Sequence, residues 1–207
     1  MSKERPDEST KVPTRQRLLE LALIELDKNG LSGFDLDDLL ARSKISKGSL
    51  YHHFGSKNGL IIAAEVHLLL ATYDEGNRLL RLLIENTKNA DEFASHMELM
   101  VRTATNAESE ESRQRRVRAL ALAQHNPGLA KEIRKSQIVG TNYLAETMQI
   151  AVDNGWLRSD INVKAFSYWQ QGMFFGHKLL DITDEDDLKD PWNEIAIIAL
   201  KAFMQPR

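Results

Sequence analysis

Leu18, Leu19, Ala22, Leu23 and Leu26 recur at the three- and four-residue steps of one helix face, with Thr14 as the expected cap and Asn29-Gly30 as the stop. A second helix is predicted from Leu36 to about Arg42, capped by Asp35 with Asp38 three residues on, and Leu36, Leu39 and Leu40 supply its buried face. Ser43, Lys44 and Ile45 leave a tight connection before Ser46 opens a very short third helix, SKGSLYHHF, ending at Phe54. Leu50 and Phe54 lie four apart on its inward side, while Lys47, Ser49, Tyr51 and His52 point elsewhere. A helix this short gains little from its own hydrogen bonds, so it must be held by packing and its polar face is free to touch a partner.

After Gly55, Ser56 starts a long helix carrying Leu60, Ala63, Ala64, His67, Leu70 and Ala71 towards Ile84, long enough to connect two regions. The remainder reads as helices over Asp91 to about Ala107, Glu111 to Gln124, Pro127 to Asn154 with a bend near Gly140, Asn162 to Asp181 and Pro191 to Met204. Asn126-Pro127 is a cap followed by a first-turn proline, and Asn154-Gly155 is a stop. No stretch reads as a strand. The expected fold is all-α: a polar, proline-bearing disordered arm over residues 1–13, a three-helix domain over 14–58 and a larger helical domain over 59–207.

Composition narrows the function. The 207 residues suffice for two domains, and the absence of cysteine excludes disulfides, thiolate metal sites and cysteine nucleophiles. The first residues are charged rather than signal-like and no apolar run reaches membrane-spanning length, so a soluble, cytoplasmic protein is expected. A net charge of -3 argues against a chain-wide nucleic-acid surface. Its distribution points the other way: between Arg42 and Lys57 stand Arg42, Lys44, Lys47, Lys57, His52 and His53 without an intervening acid, while carboxylates gather at Asp35, Asp37 and Asp38 and from Asp181 to Asp190. His67, His96, His125 and His177 show no i, i+4 pair and no HExxH, and neither GxSxG nor a phosphate-binding glycine loop occurs. Neither a metal, a cofactor nor an enzymatic activity is expected.

Two short helices joined by a turn, the second polar outside and edged with cations, are the helix-turn-helix layout for entering a DNA major groove. The residues from Ser46 to Leu60, SKGSLYHHFGSKNGL, resemble the signature of the TetR family of transcriptional regulators, and the likeness covers about Thr14 to Leu60. The resemblance implies a helix-turn-helix domain followed by a larger ligand-binding and dimerisation domain, in a repressor released from a palindromic operator by a small molecule. Carried onto this chain, it makes Lys44, Ser46, Lys47, Gly48, Ser49, Tyr51, His52 and Lys57 the DNA-contacting set: cations and hydroxyls for phosphates or base edges, and a glycine for close backbone approach. His53 stays open between core edge and contact.

Ala165, Trp169, Gly172 and Gly176 share one face near the C-terminus, and Trp192, Ile195, Ala196, Ala199 and Phe203 recur at helical spacing on the last helix. The family pairs its last two helices with those of a second subunit, which makes Gly172, Gly176, Trp192, Ile195, Ala199 and Phe203 the expected homodimer interface. An apolar or aromatic effector is expected against Phe93, Met97, Met100, Trp156, Phe166, Trp169 and Met173, residue types that suit an ordinary core equally. Three positions depart from the family pattern: Lys44 replaces a turn glycine, which should cost about 1 kcal/mol of backbone strain; acids at Asp35 and Asp37 open the second helix; and Gly59 should weaken the first turn of the fourth. A protein-interaction adaptor that keeps the helix-turn-helix as scaffold is the rival function.

Overall fold

Leu18, Ala22, Phe34, Leu36, Leu39, Leu40, Leu50, Leu60 and Ala64 close into one apolar cluster, and the elements that carry them follow from their caps. The computed structural model describes residues 12–183 and 185–204, without the side chains of residues 69, 72 and 73; the arm expected over residues 1–13 lies, up to residue 11, outside the described residues. α1 (Thr14–Asn29) starts after Pro13 with no side-chain cap, so Thr14 is its first residue and not its cap, and it stops at Gly30 with φ 64°. α2 (Leu36–Ser43) is capped by Asp35, which accepts from the Asp38 amide at 3.0 Å. α3 (Lys47–Phe54) is capped by Ser46, which accepts from the Ser49 amide at 3.1 Å. α4 (Lys57–Glu85) follows at once, with Ser56 Oγ accepting from the Gly59 amide at 2.9 Å.

The chain divides into two units after Leu68. That lies beyond the boundary expected at 58/59, because Leu60 and Ala64 at the start of α4 belong to the N-terminal core. The C-terminal unit continues with α5 (Ala90–Thr105), a 3-10 turn (Ala107–Ser109), α6 (Glu110–Ala123), α7 (Pro127–Asp153), α8 (Val163–Asp181), a second 3-10 turn (Asp186–Leu188) and α9 (Lys189–Met204). The last helix therefore begins two residues before the expected Pro191, which fits within its first turn where a missing amide is not needed. α7 runs as unbroken helix through Gly140. Among the described residues there is no strand.

Phe93, Met97, Val101, Met148, Trp156, Phe166, Ile197 and Leu200 are core of this second unit, and Phe93 stacks on Trp156 with centroids 5.7 Å apart. A buried ion pair ties α6 to α8. Arg113 donates to both oxygens of Asp181, at 3.0 and 2.9 Å, and to the carbonyls of Ala104 and Asn106 at 2.8 and 3.1 Å. His177, fully buried edge-on to Trp192, brings Nδ1 to 3.1 Å from Asp181 Oδ1, and among the described residues neither ring nitrogen meets a hydrogen-bond partner in good geometry. Burial, and next the nearby Arg113 charge, push this imidazole below its ordinary range, so it is held neutral.

Candidate nucleic-acid interface and ligand cavity

The residues predicted to touch DNA gather on and beside α3. Leu50 is buried, whereas Ser46, Lys47, Gly48, Tyr51 and His52 are exposed and Ser49 and His53 half-buried. A Cβ built on Gly48 would come no nearer to another residue than 3.9 Å from Ser46 Oγ, so its backbone is open to close approach. Lys44 ends α2 in the left-handed region with φ 56° and ψ 24°, the strained conformation expected where the family has glycine. Its side chain is exposed beside the turn.

Two features of this surface escape a linear reading. First, the basic run is partly neutralised by acids from outside it. Arg42 pairs with Glu25 of α1 and with Asp38 at 2.7 Å, and Lys47 Nζ stands 3.6 Å from Asp37 Oδ1. Glu25 is buried; its bonds from Asn29 and then Arg42, opposed by burial, hold its carboxyl below the usual range. Arg42 is therefore a clamp between α1 and α2, and Asp37 shares the outer surface with Lys47. Second, Lys57 donates to the Phe34 carbonyl at 2.7 Å and lies over the Phe34 ring, 5.5 Å from its centroid. It latches the loop before α2, next to an open groove lined by Asp37, Lys47 and Tyr51.

Gly59 overturns its expected role as a weak spot. A Cβ on it would stand 2.0 Å from the Phe54 carbonyl oxygen, so glycine is what lets α4 start against the end of α3. Gly55, with φ 75°, makes the turn between them.

The C-terminal unit holds two adjoining cavities, of about 230 and 320 Å³, which share Gly76, Ala104, Ser112, Arg116 and Phe174. Of the expected lining set only Met100 stands on their walls; Phe93, Met97, Trp156 and Phe166 are buried core, and Met173 packs against it. Phe166 and Trp169 instead flank a separate surface pocket with Phe203. The walls carry more charge than the sequence suggested, because Arg113, Arg116 and Lys178 face the second cavity. The first is bounded by Gln170 and Gln171. Gln171 is bonded to Gln137, Thr141 and Arg116, whereas Gln170 is buried, donates to Met100 Sδ at 3.1 Å and, among the described residues, leaves Oε1 without a partner.

Of the expected dimer set, Ile195 is 68% exposed and Gly172 is exposed, while Trp192 and Phe203 pack within the chain and Gly176 lies 3.9 Å from the Trp192 ring. Ala199 is half-buried. Ile198 on the same helix and Leu179 and Ile182 at the end of α8 are about as exposed as Ile195.

Residues 18–64 match the family model of bacterial regulatory proteins, tetR family. Through this segment the chain is similar to the TetR family of transcriptional regulators. It is 28% identical to the HTH-type transcriptional regulator UidR of Escherichia coli over 176 residues, 84% of each chain. Its fold is also that of the TetR-family regulator from Cytophaga hutchinsonii, with a TM-score of 0.63 at 15% identity, covering 96% of this chain and 100% of the other. A Saccharomonospora viridis regulator solved in complex with choline superposes with a TM-score of 0.60 at 16% identity, covering 90% and 95%. The matched segment runs from α1 into the start of α4, so the family model ends with Ala64, the last member of the N-terminal core. Among the described residues no helix is long and apolar enough to cross a membrane.

Proposed function

We propose that this regulator is a homodimeric repressor that places α3 of each subunit in successive major grooves of a palindromic operator and leaves it when a small molecule fills the C-terminal unit. The observation that carries this reading is α3 itself. It is anchored by buried Leu50, and its exposed residues are a cation, a backbone-open glycine, a phenol and an imidazole, donors suited to phosphates and base edges. The exposed apolar residues of α8 and α9 support a two-fold partner, since a second copy would cover what one subunit leaves in water.

Selection of bound fragments from random DNA tests the whole reading, with inverted half-sites expected about 34 to 36 Å apart or at a multiple of that. Asymmetric selected sites would overturn the dimeric mode. On the selected operator, Lys47→Ala and Tyr51→Ala should each weaken binding about tenfold or more while the proteins stay folded, and Lys47→Ala should flatten the salt dependence by about one counterion. Wild-type affinity in both would remove α3 from the interface. Asp37→Asn should act in the opposite direction. By releasing Lys47 and removing a carboxylate from the surface, it is expected to tighten binding about threefold at low salt, an advantage that fades as salt rises.

A further inference from the structure

We infer that the effector is a compact neutral molecule, an apolar body bearing one hydroxyl or amide group, and that Gln170 selects it; this rests on the ligand-released regulator proposed above. The walls of the two adjoining cavities settle the charge first. No aspartate or glutamate is among their described lining residues, so a quaternary ammonium such as choline, the ligand in the S. viridis regulator, meets no carboxylate there. The cations are already engaged. Arg113 donates to both oxygens of Asp181, Lys178 stands 3.6 Å from Asp181 and 3.7 Å from Glu110, and Arg116 is bonded to Gln171 and braced over the Phe175 ring at 5.2 Å. A carboxylate entering here would give up its water for cations that have partners, whereas a neutral molecule gives up far less.

The amide side chains on the wall of the first cavity are not alike. Asn77 donates to the Gly140 carbonyl, and Gln171 is tied to Gln137, Thr141 and the Ser167 carbonyl. Gln170 is 1% exposed, donates to Met100 Sδ, a weak acceptor, and among the described residues leaves Oε1 without a partner. A buried carboxamide left in this state costs stability until something bonds to it. Held by one weak bond about a terminal torsion with broad minima, it turns readily towards an occupant of the cavity. Whichever way it turns, a hydroxyl or amide satisfies it, as donor to its oxygen or acceptor from its nitrogen. The rest of the wall, with Leu80, Met100, Leu144 and Phe174, is apolar. A dry apolar cavity of about 150 Å³ takes a benzene ring. The first cavity, at about 230 Å³, therefore takes a ring with a short side chain. Gly76 lies on both cavities, and a Cβ there would meet nothing within 4 Å, so the space beside it is open for ligand.

A matched panel tests the assignment: 4-alkylphenols and phenylalkanols with short alkyl chains, each beside its methyl ether, its carboxylic acid analogue and its trimethylammonium analogue, read by thermal shift and titration calorimetry. The hydroxyl compounds are expected to raise Tm by about 4 °C or more and to bind about tenfold more tightly than their ethers and charged analogues. Gln170→Met should bring the hydroxyl-to-ether ratio close to one with ether binding kept. The ligand-free variant should also unfold at a higher temperature than wild type, because an unpaired carboxamide has left the core. A merely structural glutamine would do the opposite, lowering Tm and leaving the ratio unchanged. Gly76→Leu should remove binding of every member while the helical circular dichroism is retained. Ethers or charged analogues binding as well as the hydroxyl compounds would overturn the inference, and so would a panel in which no member stabilises the protein. Operator release is measured separately: hydroxyl compounds that bind without releasing DNA would sink the ligand-released repressor and leave Gln170 as the selecting residue, whereas release by the charged members alone would do the reverse.

Discussion

Gly59→Ala is expected to destabilise the N-terminal unit by roughly 3 kcal/mol and to abolish operator binding. Two effects compete at this position, and their magnitudes separate them. Helix propensity alone predicts a gain of about 1 kcal/mol from replacing a glycine within a helix. Against it stands a methyl group 2.0 Å from the Phe54 carbonyl oxygen, an atom of the backbone that cannot swing aside. Relief requires α4 to shift away from the end of α3, which disturbs the packing of Leu50 and Leu60. Hydrogen exchange followed along the chain should show protection lost over residues 14–68 and largely kept around Phe93, Met148 and Ile197. A variant more stable than wild type would return Gly59 to the role of a weak helix start.

Asp181→Ala should cost the C-terminal unit about 3 to 5 kcal/mol, because Arg113 would keep its charge in a buried site with only carbonyl partners. Urea denaturation measures it, and a double-mutant cycle with Arg113→Met separates the pair from its surroundings: the double variant should be less destabilised than the two single losses added together. An additive cycle would mean that the pair is not coupled. The pH profile supplies a second check. Burial alone would raise the Asp181 carboxyl, but the bonds and charge of Arg113 outweigh it and hold the group below its ordinary value. The unfolded chain therefore takes up this proton first, and stability should fall as pH drops below about 4, a step that Asp181→Ala removes. His177 works at higher pH. Its depressed imidazole stays neutral in the fold while the unfolded one protonates, so stability begins to fall below about 6.5.

Helices and caps were legible because they are local: Asp35, Ser46 and Asn126 each cap the helix they precede, and the leucines of α2 lie where their spacing puts them. The exposed face of α3 was legible for the same reason, since burial of Leu50 fixes the direction of its neighbours. What was hidden depends on distant partners. Nothing between Arg42 and Lys57 announces that Glu25 and Asp37 will sit against the cations, and no pattern reveals that α4 approaches Phe54 closely enough to exclude a side chain at residue 59. The cavity was missed by looking for large apolar residues. Phe93, Met97 and Trp156 fill space, and filled space is core; a cavity opens where side chains are small or absent, as at Gly76, Ala104 and Ser112.

The pairing of Lys47 with Asp37 and of Arg42 with Glu25 and Asp38 also bears on how the regulator finds its site among the rest of a chromosome. Attraction to arbitrary duplex grows with the number of cations free to displace counterions, and every copy held there is withheld from the operator. If α3 reads DNA as proposed, this pairing would loosen the hold on random sequence and make occupancy depend more on base contacts than on charge. Fewer molecules would then be needed to keep the proposed operator filled.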